Sequence, residues 1–104
     1  MDECSGKVLL SGFEIDEVEK VIVNNMLKNY EQKVLERSPF DYLKLRLRKS
    51  QKAKTLLYQI EGELKIKSKK FSAKAQDYSL FSVLSDVLER LYNEMTHTLR
   101  TARQ

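Results

Sequence analysis

The side chains in this sequence best suited to chemistry are cations, and they are unevenly spaced. Between Asp41 and Ala75 stand eleven basic residues against three acidic ones, a local net charge of +8, whereas the segments before and after carry −3 and −1. A one-signed field concentrated on one stretch attracts polyanions and steers them in, which general solvation does not require. A sheet edge guarded by lysines is the alternative use of the same residues. Lys44, Arg46 and Arg48 alternate with Leu43, Leu45 and Leu47, so one face of a strand is basic and the other apolar. Lys49, Lys52 and Lys54 follow, the stretch from Ser50 to Lys54 reading as a polar loop, and Lys65, Lys67, Lys69, Lys70 and Lys74 come with the next hairpin. Such residues bind phosphate oxygens and recognise RNA through its shape and backbone rather than its base sequence. Tyr42 shares a face with Lys44 and Arg46 and could stack on a base. Tyr58 and Phe71 take inward positions, so a platform of exposed aromatics is not expected.

Bond-making chemistry finds no comparable support. His97 is the single histidine and Cys4 the single cysteine, which leaves no internal disulfide and no thiolate pair for a structural zinc. Asp16, Glu17 and Glu19 fall where a helix begins, and the positive end of the helix dipole accounts for them. Gly6, Gly12 and Gly62 are too scattered to cradle a phosphate. The expectation is a binding protein without catalytic residues, metal, cofactor or small-molecule substrate.

At 104 residues, 41% hydrophobic and 33% charged, the chain is expected to build one packed core with a solvated surface. Residues 1–6 read as a frayed terminus and 7–104 as one α+β domain. The acidic start and the short apolar runs suggest neither a secretory signal nor a membrane span, and the cytoplasm is the expected location. Lys7 to Gly12 reads as a first strand. Asp16 can cap a helix running to about Glu36, with Val18, Ile22, Met26 and Tyr30 as its apolar stripe, and Pro39 pushes Ser38 out of helical geometry. Two-residue alternation then predicts a strand from Phe40. A second strand places Leu56, Tyr58, Ile60, Leu64 and Ile66 inward, with Gly62 suggesting a bulge or the close approach of another backbone. A third strand turns Phe71, Ala73 and Ala75 inward. The last element is an amphipathic helix of about twenty residues with Leu80, Leu84, Val87, Leu88, Leu91, Met95 and Leu99 as its stripe, capped by Asp77 or Ser79. Arg100 and Arg103 stand near its negative end. The order β-α-β-β-β-α predicts a two-layer α+β sandwich, a four-stranded sheet with two helices on its oily face.

Three stretches carry a family likeness: Ile60 to Ile66 (IEGELKI), Lys70 to Asp77 (KFSAKAQD) and Leu80 to Leu91 (LFSVLSDVLERL). Together they resemble the bacterial ribosome hibernation factors, also described as ribosome-associated inhibitor or sigma-54 modulation proteins. In that family a hairpin ending in small residues leads to a last helix bearing an acidic-basic-Leu triplet, matched here by Glu89, Arg90 and Leu91. The resemblance covers about Val8 to Met95. It implies a fold akin to the double-stranded-RNA-binding domain, binding to the small ribosomal subunit and ribosomal RNA near the decoding site, and silencing of translation under stress or in stationary phase. It also adds Arg90 to the RNA-binding candidates. Asn93 and Glu94 stand where the family usually continues with an arginine and a glutamine, and Ser85 where an acidic residue is often found. Ribosome binding is therefore expected to lean on the sheet and its loops. Longer family members add a C-terminal dimerisation domain; this chain ends after its last helix, so a monomer is expected. A stand-alone domain with another RNA target, and a protein-interaction module with a basic sheet face, are the competing expectations.

Overall fold

The computed structural model describes residues 7–102, with the surroundings of side chains described for 8–51 and 53–98. Cys4 and Arg103, and the side chains of Lys52, Leu99 and Arg100, lie outside the described set. The elements are β1 (Lys7–Ser11), α1 (Glu17–Leu35), β2 (Tyr42–Lys52), β3 (Thr55–Ile66), β4 (Lys69–Asp77) and α2 (Leu80–Ala102). The sheet order is β1-β2-β3-β4, with β1 parallel to β2 through the α1 crossover and the remaining pairs antiparallel. Both helices contribute to the core on one face of the sheet, which gives the α+β two-layer sandwich anticipated from the periodicities. No described helix is long and apolar enough to cross a membrane.

The start of α1 is fixed by a reciprocal pair: Glu19 N–H donates to Asp16 Oδ1 at 2.8 Å and Asp16 N–H to Glu19 Oε1 at 3.2 Å, satisfying two backbone donors that the first turn would leave open. Its buried face differs from the predicted stripe. Val23, Leu27, Tyr30 and Val34 are buried, whereas Val18 is 69% and Ile22 38% exposed and Met26 is half-buried. Steps of four residues drift by about 40° around a helix of 3.6 residues per turn. Val18, Ile22, Met26 and Tyr30 therefore wind around the helix: only Tyr30 is buried in the core, and Met26 packs against its edge. The set Val23, Leu27, Tyr30, Val34 mixes steps of three and four and stays on one side.

In α2 the predicted stripe is buried from Leu80 to Met95, and Val83 joins it. Of the two predicted caps, Ser79 takes the role, its Oγ accepting from Ser82 N–H at 3.3 Å; Asp77 ends β4 and accepts instead from Tyr78 N–H at 2.6 Å. The end of α1 is tied to α2 by Tyr92, whose hydroxyl accepts from Arg37 Nε at 3.0 Å and whose ring lies under Lys33 Nζ at 4.2 Å.

Two expectations about the hairpins are corrected. The predicted Ser50–Lys54 loop shrinks to Ala53 and Lys54, because the ladder continues to the Lys52–Thr55 pair. A two-residue hairpin needs left-handed backbone, and Ala53 supplies it at φ 56°. Gly62 marks neither a bulge nor a neighbouring backbone: it pairs with Leu45 on one side and Ala73 on the other in an unbroken register. What approaches are side chains. A Cβ at Gly62 would stand 2.8 Å from Val87 Cγ1 and 3.0 Å from Leu91 Cδ1, so any side chain there would force the α2 side chains over it to shift. Gly62→Ala is expected to destabilise the fold by about 1–3 kcal/mol, the usual cost of overpacking a filled core, measured as a lower denaturation midpoint.

Candidate nucleic-acid interface

Strand register decides which charged side chains share a surface. Leu43, Leu45 and Leu47 are buried under the helices, which sends Tyr42, Lys44, Arg46 and Arg48 to the opposite, open face. Across β2 and β3, Lys44 pairs with Glu63 and Arg46 with Glu61; across β3 and β4, Glu63 pairs with Ser72 and Glu61 with Lys74. Lys65 pairs with both Tyr42 and Lys70 and reaches Asp41 at 3.9 Å. The open face thus gathers Lys44, Arg46, Arg48, Lys65, Lys70 and Lys74 from three strands.

Other predicted residues lie elsewhere. Lys49 has the phase of the buried leucines and, beyond the end of the core, its Nζ donates to Glu14 O. Lys54 and Lys67 are in the two hairpin turns, Lys67 at φ 57°, and Lys69 pairs with Ile66 at the exposed start of β4. Lys52 is in β2 rather than a loop. Arg90 projects from α2 toward the β4 edge, with its Nε 3.3 Å from Asp86 Oδ1 and its Nη1 3.5 Å from Lys74 O. The Glu89-Arg90-Leu91 triplet therefore has two roles in the fold. Leu91 fills the core over Gly62, and Arg90 ties the helix to the outer strand.

The feature missed from sequence is the pair of carboxylates in the middle of the face. Glu61 and Glu63 stand between the cations of β2 and those of β4, so the surface is two basic rails flanking an acidic row. Their alternation in phase with Lys65 was the available signal. Tyr42 hydroxyl donates to Glu63 Oε2, and Lys44 Nζ lies 5.4 Å from the centre of the Tyr42 ring. Tyr42 is thereby engaged within the face rather than standing free as a stacking surface. The hydrogen bond from Tyr42, with Lys70 and Lys44 nearby, holds the Glu63 carboxyl below its ordinary value, and the same bond pushes the Tyr42 phenol up. Tyr42→Phe is expected to move the Glu63 titration upward, read as the carboxyl carbon shift against pH by NMR; an unmoved titration would contradict the assigned hydrogen bond. A groove of about 620 Å³ runs over this part of the face, lined among others by Lys44, Arg46, Glu61, Glu63, Lys74 and Arg90. Its lining presents cations and carboxylates side by side, so it offers hydrogen-bond donors and acceptors of both charges.

No family model matches the sequence, and no curated protein matches it. Solved structures do. A ribosomal subunit interface protein from Coxiella burnetii superposes with a TM-score of 0.61 at 11% identity, covering 90% of this chain and 98% of that one. The Protein Y N-terminal domain of Thermus thermophilus superposes with a TM-score of 0.60 at 12% identity, covering 88% of this chain and 94% of its own length. The likeness to these structures is one of fold, and it runs over nearly the whole chain.

Proposed function

We propose that this protein is a ribosome-associated RNA-binding factor that docks on the small ribosomal subunit and silences translation. The observation that carries the reading is the sharing of one fold, over about nine-tenths of the chain, with a protein named for the ribosomal subunit interface. The open sheet face supports it physically. Lys44, Arg46 and Arg48 are exposed on one strand, and cations in such a row bind phosphate oxygens while releasing counterions. Arg90, Lys70 and Lys74 extend this surface to the β4 edge.

Sucrose-gradient fractionation of cell lysate tests the reading. The protein is expected in the small-subunit fractions, and an in vitro translation reaction supplemented with it is expected to slow. Sedimentation with free RNA alone would instead favour a non-ribosomal RNA target. The carboxylate row favours one further reading, an interaction module for a protein surface of alternating charge; the protein would then sediment with another protein and without RNA.

A further inference from the structure

The two glutamates in the middle of a basic face have a consequence for which nucleic acid the face accepts. Lys44, Arg46 and Arg48 follow one another at alternate positions of β2, about 6.8 Å apart along an antiparallel strand. That repeat is of the same order as the phosphate spacing of an extended polynucleotide, so a single strand can follow β2 with its backbone on these cations. Its bases must then turn to one side. On the β1 side the face is short, ending at Ser11 opposite Arg46, and presents the apolar Leu9 opposite Lys44. On the other side lies the groove, and about 4.8 Å away across the sheet stand Glu61 and Glu63, opposite Arg46 and Lys44. One Glu63 oxygen is taken by the Tyr42 hydroxyl, which fixes the carboxylate in place and leaves the other for a ligand.

A carboxylate accepts hydrogen bonds and donates none. Over it, a base edge carrying an amino group is favoured, and one carrying a carbonyl at the same position is repelled. We infer that the open face reads as well as holds its RNA, binding single-stranded segments with Glu61 and Glu63 accepting from base amino groups, so that cytosine is preferred to uracil. Cytosine and uracil make the comparison: cytosine presents its 4-amino donor at the end of the edge, whereas uracil presents a 4-oxo acceptor there and holds its one donor, N3–H, between two carbonyl oxygens that repel a carboxylate. This inference rests on the RNA-binding function proposed above. It goes beyond the sequence-independent backbone recognition expected from the cations alone.

The test is fluorescence anisotropy with labelled oligocytidylate and oligouridylate of equal length at low salt and neutral pH. The protein is expected to bind oligocytidylate about tenfold more tightly, within the discrimination a good side-chain–base pair provides. In the doubly substituted Glu61→Gln, Glu63→Gln protein the preference should disappear, chiefly through tighter binding of oligouridylate, because an amide both donates and accepts and no longer repels the 4-oxo group. Glutamine keeps the shape and an acceptor for Tyr42, and circular dichroism confirms that the variant is folded. Equal affinity of the unsubstituted protein for the two oligomers would mean that the glutamates only balance charge and would overturn the inference alone. A preference surviving the double substitution would also overturn it. Binding to neither oligomer would overturn it and remove support from the RNA-binding function as well.

Discussion

Leu84→Ala and Leu91→Ala are each expected to lower the free energy of unfolding by about 2–5 kcal/mol, the range for emptying a buried leucine site. Both side chains are fully buried. Leu91 also packs where Gly62 lets α2 approach the sheet, so its neighbours are held by the β3 backbone and can collapse little into the space left. Incomplete collapse is what places a substitution in the upper part of that range. A domain of this size has about 5–15 kcal/mol in total, so either change removes a large fraction of it. Val18→Ala, on the exposed turn of α1, is expected to change stability by less than about 0.5 kcal/mol. Urea denaturation followed by circular dichroism measures all three, and losses below half a kcal/mol at both leucines would contradict the placement of α2.

Replacing Lys44, Arg46 and Arg48 together by alanine is expected to give the largest change in binding. If each contacts one phosphate, removing the three lowers the slope of log affinity against log salt by about 2–3 units, at roughly 0.7–0.9 per contact. Affinity at low salt should fall steeply and its salt dependence should flatten. The fold should be retained, because all three side chains are exposed on the face away from the helices. The matching control is Lys20→Ala with Lys28→Ala, two exposed cations on α1 in the other layer, for which a much smaller effect is expected. A control that abolished binding while the strand variant bound normally would place the contact surface on the helices.

The sheet was more legible in the sequence than the helices were. A strand has only two faces, so Leu43, Leu45 and Leu47 assign their neighbours without further information, and an error of one residue would have put a charge in the core. The last helix was legible for a related reason: its apolar residues are confined to one stripe. The first helix carries Val18, Val21, Ile22, Val23, Met26 and Leu27 around much of its circumference, so several stripes fit equally well, and packing against the sheet and α2 selects among them.

The polar stretch from Ser50 to Lys52 looked like a loop because it lacks the apolar half of the pattern. It extends the β2–β3 ribbon nevertheless, since the hairpin ladder continues to the turn at Ala53 and Lys54. The candidate site was legible in its cations but not in its arrangement. That Glu61 faces Arg46 and Lys74, and Glu63 faces Lys44, follows from the pairing of three strands, and the register is set by turn lengths the residues alone left open. Lys49 shows the same limit: one residue beyond Arg48, it takes the other face and bonds to Glu14 O.

Pelleting with purified small ribosomal subunits across a salt series examines both the proposed partner and the proposed contact face. The unsubstituted protein is expected to enter the pellet with the subunits at low salt and to be released as salt rises, while the Lys44, Arg46, Arg48 alanine variant stays in the supernatant throughout. An unsubstituted protein that remains in the supernatant at low salt would contradict small-subunit binding, and a variant that pellets as well as the parent would contradict the role of the open sheet face.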